Sequence, residues 1–406
     1  MIKTLNECLE LTIDRRGVTP KKLGSEWKEK GYKVLSANNI KTSGLQNLNE
    51  IRFIDEETYR KWMKEEIKKG DLLLTSEAPA GEVLYWDSDE KIVAGQRVYI
   101  LRTKKEINSL FLKYYLQSKK GQSEIRNKCS GSTVFGISAK TFDSIEIILP
   151  EKKENQDKIA NILYFLDKKI NNNNRIYKNL ENIAKTIYDY WFLQFEFPND
   201  DDRPYKSSGG RMIWNADLKK EIPAGWGITT IDKITLCHDS KRIPLSSSER
   251  AHKKGVFPYY GATGIMDYVK DFIFDGNYVL MAEDGSVMNP NGTPILQRIT
   301  GKTWVNNHAH VLEPVNGYNC KLLMMLLKDV SVAKIKTGSI QMKINQENMN
   351  KIIIPKIPDK LLRKINYKLD IIDKYQLQLI RENEKLSKLR DFLLPLLING
   401  QVGFKS

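Results

Sequence analysis

The chain has 406 residues, and its 65 Lys and Arg against 50 Asp and Glu give a formal net charge of +15. That length accommodates two or more domains with sizeable cores, and the basic balance favours a polyanionic partner without establishing one. No window of eighteen apolar residues occurs, the first residues hold no basic stretch followed by an apolar run, and the four cysteines (Cys8, Cys129, Cys237, Cys320) form no C-x-x-C pair, so a membrane span, a secretory leader, a zinc knuckle and a disulfide framework all lack support.

A soluble, cytoplasmic protein with reduced thiols is therefore expected. Residues 1–150 read as a mixed α/β domain. Strand-like runs such as Asp71-Leu72-Leu73-Leu74-Thr75 and Arg97-Val98-Tyr99-Ile100-Leu101 alternate with helical candidates at 56–69 and 109–118. Over 151–195 the pattern changes. Ile159, Leu166, Asn173, Leu180 and Ile187 recur every seven residues, with Leu163, Ile170, Tyr177, Ala184 and Trp191 beside them, which makes one apolar stripe along a long helix. About forty such residues reach ~60 Å. The four asparagines at 171–174 are weak helix formers and can mark a break. Asn173 also falls on the heptad line, where one polar residue can fix register, and a continuous helix is the expectation.

Residues 196–212 are turn-rich and polar, a linker. Residues 213–355 again alternate strands and turns, and 356–400 repeat the stripe with Ile365, Ile372, Leu379, Leu386 and Leu393, leaving a short tail at 401–406. The second half restates the first. Ile148-Leu149-Pro150 and Ile353-Ile354-Pro355 each open a helical stretch, and a shift of about half the chain lays Leu163 on Leu369, Asp167 on Asp373, Arg175 on Arg381 and Leu180 on Leu386. Within the globules, Gly70-Asp71-Leu72 resembles Gly276-Asn277-Tyr278, and Ser130-Gly131-Ser132-Thr133 resembles Thr337-Gly338-Ser339-Ile340. Such self-similarity marks a duplication. Two stripes in one chain most simply pack antiparallel on each other, because separate helices would leave both wet at about 0.8 kcal/mol per exposed methylene.

No motif supports catalysis. Gly301-Lys302-Thr303 is similar to the end of a phosphate-binding loop, but the loop's first glycine would fall at Leu296, so the run reads as a turn before a strand at Trp304-Val305. Asn289-Pro290 continues with Asn291, not with the residues of an adenine methyltransferase motif, and the acid at Pro358-Asp359 suits a helix start rather than a nuclease. His308 and His310 share one face of an expected strand, a spacing compatible with a metal, yet with no cysteine arrangement nearby no metal site is assigned.

Recognition chemistry is better represented. Lys241 and Arg242 open a basic stretch that runs to Tyr259, Tyr260 and Thr263, and cations anchor phosphates while loop amides and hydroxyls reach base edges. In the first globule Arg15, Arg16, Asn38, Asn39, Gln96, Arg97, Ser130, Ser132 and Thr133 are comparable candidates, and in the second His308, His310, Ser339 and Gln341 join them. Each is equally consistent with a solvated polar surface. On the helices, Leu166, Asn173, Leu180, Ile187, Ile372, Leu379, Leu386 and Leu393 are candidates for helix-pair packing or partner docking.

The wording of the helices resembles the specificity subunit of Type I restriction-modification systems. The runs are Phe165-Leu166-Asp167-Lys168-Lys169-Ile170, Ala184-Lys185-Thr186-Ile187-Tyr188-Asp189-Tyr190-Trp191-Phe192 and the ending Leu393-Leu394-Pro395-Leu396-Leu397-Ile398-Asn399-Gly400. Pro258-Tyr259-Tyr260-Gly261-Ala262-Thr263-Gly264 and Ala282-Glu283-Asp284-Gly285 in the second globule look like that family too. The resemblance covers essentially the whole chain. It implies two mixed α/β target recognition domains, a pair of long antiparallel coiled-coil helices and an internal pseudo-twofold repeat. It further implies a noncatalytic reader of a bipartite, asymmetric duplex DNA target, without a cofactor of its own. Two methyltransferase subunits using S-adenosylmethionine, and restriction subunits using ATP and Mg, would be the partners. A coiled-coil DNA-binding regulator or scaffold without modification partners is the alternative reading.

Overall fold

The computed structural model describes residues 1–130, 136–333, 335 and 342–403. It falls into two compact units, Met1–Asn173 with Arg381–Ser406, and Asn174–Ile380. Each unit is a globule together with a stretch of both long helices. Among the described residues no helix is long and apolar enough to cross a membrane.

In the first unit the run Leu72–Thr75 is buried at every position, which explains why it reads as a continuous apolar segment rather than an alternating one. It lies inside an antiparallel sheet of order Leu9–Asp14, Val98–Thr103, Leu72–Thr75, Val83–Tyr85. A second sheet joins Tyr32–Leu35 to Arg52–Ile54 and to Ile92–Ala94. The helix expected over 56–69 is Glu56–Trp62. Met63 leaves helical geometry (φ −101°, ψ 87°), and both Met63 and Ile67 turn into the core. Their burial overrides the helical propensity of the charged run between them.

The second unit carries a six-stranded sheet of order Thr235–Cys237, Ala309–Pro314, Phe274–Ala282, Leu296–Val305, Lys254–Tyr260, Ile265–Val269. Gly301-Lys302-Thr303, read from sequence as a turn, lies inside the ten-residue strand Leu296–Val305 and pairs with Gly276, Asp275 and Phe274. The turn-like composition is a glycine at φ +72° within the strand, a conformation that suits a local bend. The stretch 196–212 is packed rather than loose: Phe197 stacks on Tyr205 at 4.7 Å and on Trp226 at 5.3 Å.

The repeat is visible in the architecture. Ile2–Thr4 pairs with Glu146–Ile148 in the first unit, and Gly227–Thr230 with Ile353–Lys356 in the second, so in each copy the strand that leads to a long helix is tied to an earlier one. Each globule also docks on a long helix through a helix cap. Asn108 caps Ser109–Gln117 and donates from Nδ2 to Asp157 (2.6 Å), while Asn319 caps Cys320–Lys328 and donates to Asp370 (2.8 Å).

The first long helix runs unbroken through Asn171–Asn174 as Lys153–Tyr188, and the second is Asp359–Ile398. They pack antiparallel. In the first unit Asn173 Nδ2 donates to Glu382 (2.8 Å) and Asn383 (2.9 Å), Arg390 donates to Asp167 (3.0 Å), and Leu163 shares a core with Leu397 and Ile398. In the second unit Gln376 donates to the Tyr177 carbonyl (3.2 Å), and Ala184 and Tyr188 share a core with Ile365, Leu369 and Ile372. Of the stripe positions, Asn173, Ile372 and Leu379 are buried, and Leu166, Leu180, Ile187, Leu386 and Leu393 are half-buried. They face inward, toward helix-pair packing.

Candidate nucleic-acid interface

Each globule makes the same corner at the end of an inner strand of its main sheet. In the first, the Ser76 N–H donates to the Arg97 carbonyl (2.9 Å), the Ile137 N–H donates to the Ser76 carbonyl (2.9 Å), and Glu77 bridges Gly136. The Arg97 guanidinium closes on Glu77 at 2.8 Å. In the second, the Glu283 N–H donates to the His308 carbonyl (2.9 Å), the Ile344 N–H donates to the Glu283 carbonyl (2.8 Å), and Asp284 bridges Lys343. There the His308 ring closes on the Asp284 carboxylate. The backbone is the same device in both, and the closing side-chain pair has been rewritten from Arg–Glu to His–Asp.

Ser130 and Gly136 flank the run 131–135, which lies outside the described residues. Ser130 is exposed, and its N–H donates to the Gly136 carbonyl (2.9 Å) while the Gly136 N–H donates back (3.1 Å), which ties the two flanks together. Ser132, Thr133, Ser339 and Gln341 lie outside the described residues. Arg97 itself sits at φ +66°, a strained region for a side-chain-bearing residue that recurs where a site dictates the backbone.

The remaining expected contacts divide by what they touch. Arg16 is held by two hydrogen bonds to Asp14 (2.9 and 2.7 Å) and lies over the Tyr99 ring at 4.1 Å. Arg15 beside it is half-buried, and its Nε has no partner. Asn39 is buried and organises its own loop, accepting from Ser36 and donating to the Gln46 and Asn47 carbonyls. Asn38 is exposed and donates to Glu50 (2.6 Å). Gln96 is exposed at the lip of a cavity. In the second globule Lys241 and Thr263 are exposed, and the Thr263 turn is held from below by Gln297, which donates to the Gly261 and Ala262 carbonyls (2.9 and 2.8 Å). Tyr260 is half-buried. Tyr259 is buried, with its hydroxyl accepting from the Leu245 N–H at 2.9 Å.

Arg242 and His310 serve inside the fold. Arg242 donates to Glu283 (2.6 Å) and to the Ala309 carbonyl (2.7 Å), and lies 3.3 Å from Asp239. His310 is wholly buried, with Nδ1 toward Asp239 (2.5 Å) and Nε2 toward the Ile344 carbonyl (2.8 Å). The ring is held from both of its nitrogens. Burial pushes the Asp239 carboxyl up, but His310, the Val311 N–H and Arg242 outweigh it and hold the group below its ordinary range. Cys237 Sγ, Asp239 and His310 lie within 4.8 Å of one another, a donor set that zinc can use. Burial, however, pushes the Cys237 thiol up to about 12, and Arg242 and His310 already meet the carboxylate. The cluster is balanced as an ionic lock behind the second corner.

The long helices carry a surface too. Phe165 and Ile371, and likewise Ile183 and Leu389, are exposed apolar residues related by the shift that relates Asp167 to Asp373. Sequence periodicity points to the inward stripe and passes over these outward positions. The corner acids Glu77 and Asp284 were also missed, since each is far in sequence from its basic partner.

The family described as the Type I restriction modification DNA specificity domain matches residues 1–182 and, separately, 223–388. Among individual proteins, the chain is 26% identical over 351 residues to the Type I restriction enzyme MjaIX specificity subunit of Methanocaldococcus jannaschii, covering 82% of this chain and 78% of that one. It is 22% identical over 411 residues to the Type I restriction enzyme HindI specificity subunit of Haemophilus influenzae, covering 84% and 88%. The crystal structure of a Type I restriction-modification S subunit from M. genitalium superposes with a TM-score of 0.64 at 17% identity, over 98% of this chain and 95% of that one, a likeness of fold.

Proposed function

Because this chain belongs to the family of Type I restriction modification DNA specificity domains, we propose that it reads a DNA target in two parts, one with each globule, and presents that DNA to modification subunits. The observation that carries this is the repeated corner. Each globule has one, and the two differ in the pair that closes it, Arg97 with Glu77 in the first and His308 with Asp284 in the second. A shared frame with different faces suits two unlike half-sites. Phosphate contacts would come from exposed cations such as Lys241 and Arg97, and base contacts from amides and hydroxyls such as Gln96, Asn38 and Thr263.

Catalysis belongs to other chains in this reading, as the absence of any catalytic motif in the sequence suggests. Methyltransferase subunits would bring S-adenosylmethionine, and restriction subunits ATP and Mg. The related pairs Phe165 and Ile371, and Ile183 and Leu389, give two equivalent apolar surfaces for two copies of one partner. Two linked readers engage a target at high effective concentration only when its halves lie at the separation the linkage permits. The continuous helix Lys153–Tyr188 therefore makes helix length part of specificity.

Selection from a randomised duplex library, using this chain purified with its methyltransferase subunits, tests the reading. A motif in two parts with a fixed gap is expected. A single contiguous motif, or retention without sequence preference, would overturn it.

A further inference from the structure

The first globule holds a cavity of about 430 Å³, and the proposed base contacts Asn38 and Gln96 lie on its wall. Its walls include Trp27, Trp62, Arg52, Glu50, Asn38 and Gln96. Three observations bear on what it takes. Trp62 is buried and forms part of the cavity floor beneath Trp27. Trp27, 40% exposed, carries the Arg52 guanidinium over its ring at 4.8 Å and stands 6.4 Å from Trp62, giving the cavity a flat, polarisable wall. The Gln96 amide, exposed at the lip, has no hydrogen-bond partner, and next to it Arg97 is held in left-handed geometry by the corner.

A free amide that can both donate and accept, and the Glu50 carboxylate, set beside an aromatic wall, complement a planar heterocycle that presents an exocyclic amine beside a ring nitrogen. A base stacked within a duplex offers only its edge, which a protruding side chain reads. A concave pocket takes the base itself. We propose that this cavity receives one amino-bearing base, adenine or cytosine, swung out of the DNA half-site read by the first globule. The proposal rests on the DNA-reading function above and adds the pocket, its residues and the class of base.

The test uses the full chain with its methyltransferase subunits and the duplex motif that library selection returns. Affinity is measured while an abasic nucleotide is walked through each half-site. At one adenine or cytosine of one half-site, base removal is expected to weaken binding about tenfold. Gln96→Ala and Trp27→Ala should weaken the intact duplex by a similar factor and show little further loss on that one abasic duplex, while losing affinity normally at other positions. Both residues are exposed, so folding should survive, which circular dichroism checks. Variants that bind the intact duplex like wild type, or whose loss multiplies fully with every abasic loss, would overturn the pocket. Adenosine alone, titrated by calorimetry, separates the sources: tight binding of the free nucleoside without coupling to any DNA position would reassign the cavity to a small molecule and also overturn the proposal. If wild type binds no duplex selectively, the DNA-reading function itself fails, a result distinct from loss of coupling.

Discussion

Lys241 and Arg242 are neighbours in sequence and opposites in role. Lys241 is exposed, whereas Arg242 is tied to Glu283, Asp239 and a backbone carbonyl behind the second corner. Lys241→Ala should leave stability within about 0.5 kcal/mol and weaken DNA binding with a reduced salt dependence. His310→Phe should instead cost about 1–3 kcal/mol, because it takes a buried partner from both Asp239 and the Ile344 carbonyl while Arg242 and the Val311 N–H still hold the carboxylate; urea unfolding of the two variants measures the contrast. Asp167 gives a pH test. Burial raises its pKa, but Lys113 (3.1 Å), Tyr114 (2.8 Å) and Arg390 (3.0 Å) converge on it and hold the carboxyl below its ordinary range. Burial also pushes Lys113 down despite the pairing, so the carboxylate with its three donors is the stable member. A carboxyl with a lowered folded pKa contributes stability above its unfolded value, near 4, and loses it as pH falls further. Thermal unfolding of wild type should show that loss below about pH 4, and Asp167→Asn should be less stable at pH 7 and flatter in acid.

At the level of elements, what could be read from sequence was whatever repeats along it. The heptad stripe is local and periodic, so both long helices were legible, including passage through Asn171–Asn174, where Asn173 earns its place by bonding Glu382 and Asn383. The runs at Ser130 and Ser339 resemble each other in composition, and Ser339 lies outside the described residues. The corners were not legible, because Arg97 lies twenty residues from Glu77 and its counterpart in the second copy is a histidine. Composition also cannot tell a cation held inside from one facing solvent, which is why Arg16, Arg242 and His310 stood beside Lys241 as equal candidates. The Trp27 and Trp62 cavity left no trace in spacing, since its walls come from several loops, two helices and two strands. The helix pair offers its own test. Removing one heptad from the first long helix and its antiparallel partner segment in the second should keep the core stripe in phase and change the gap between half-sites, as read by library selection. An unchanged gap with unchanged affinity would sink the role of helix length.

For the whole molecule, duplication with divergence is the organising fact: strand pairs, caps and corners are kept, and the pairs that close the corners differ. In the proposed function the kept features form the frame and the differences carry an asymmetric target. The most direct test is mapping of N6-methyladenine across the genome of a host that expresses the partner subunits, with and without this gene. The account predicts that methylation at a two-part motif with a fixed gap disappears when the gene is removed and returns with it. With expression of the locus confirmed, an unchanged methylation map, or dependence at a contiguous motif only, would contradict it.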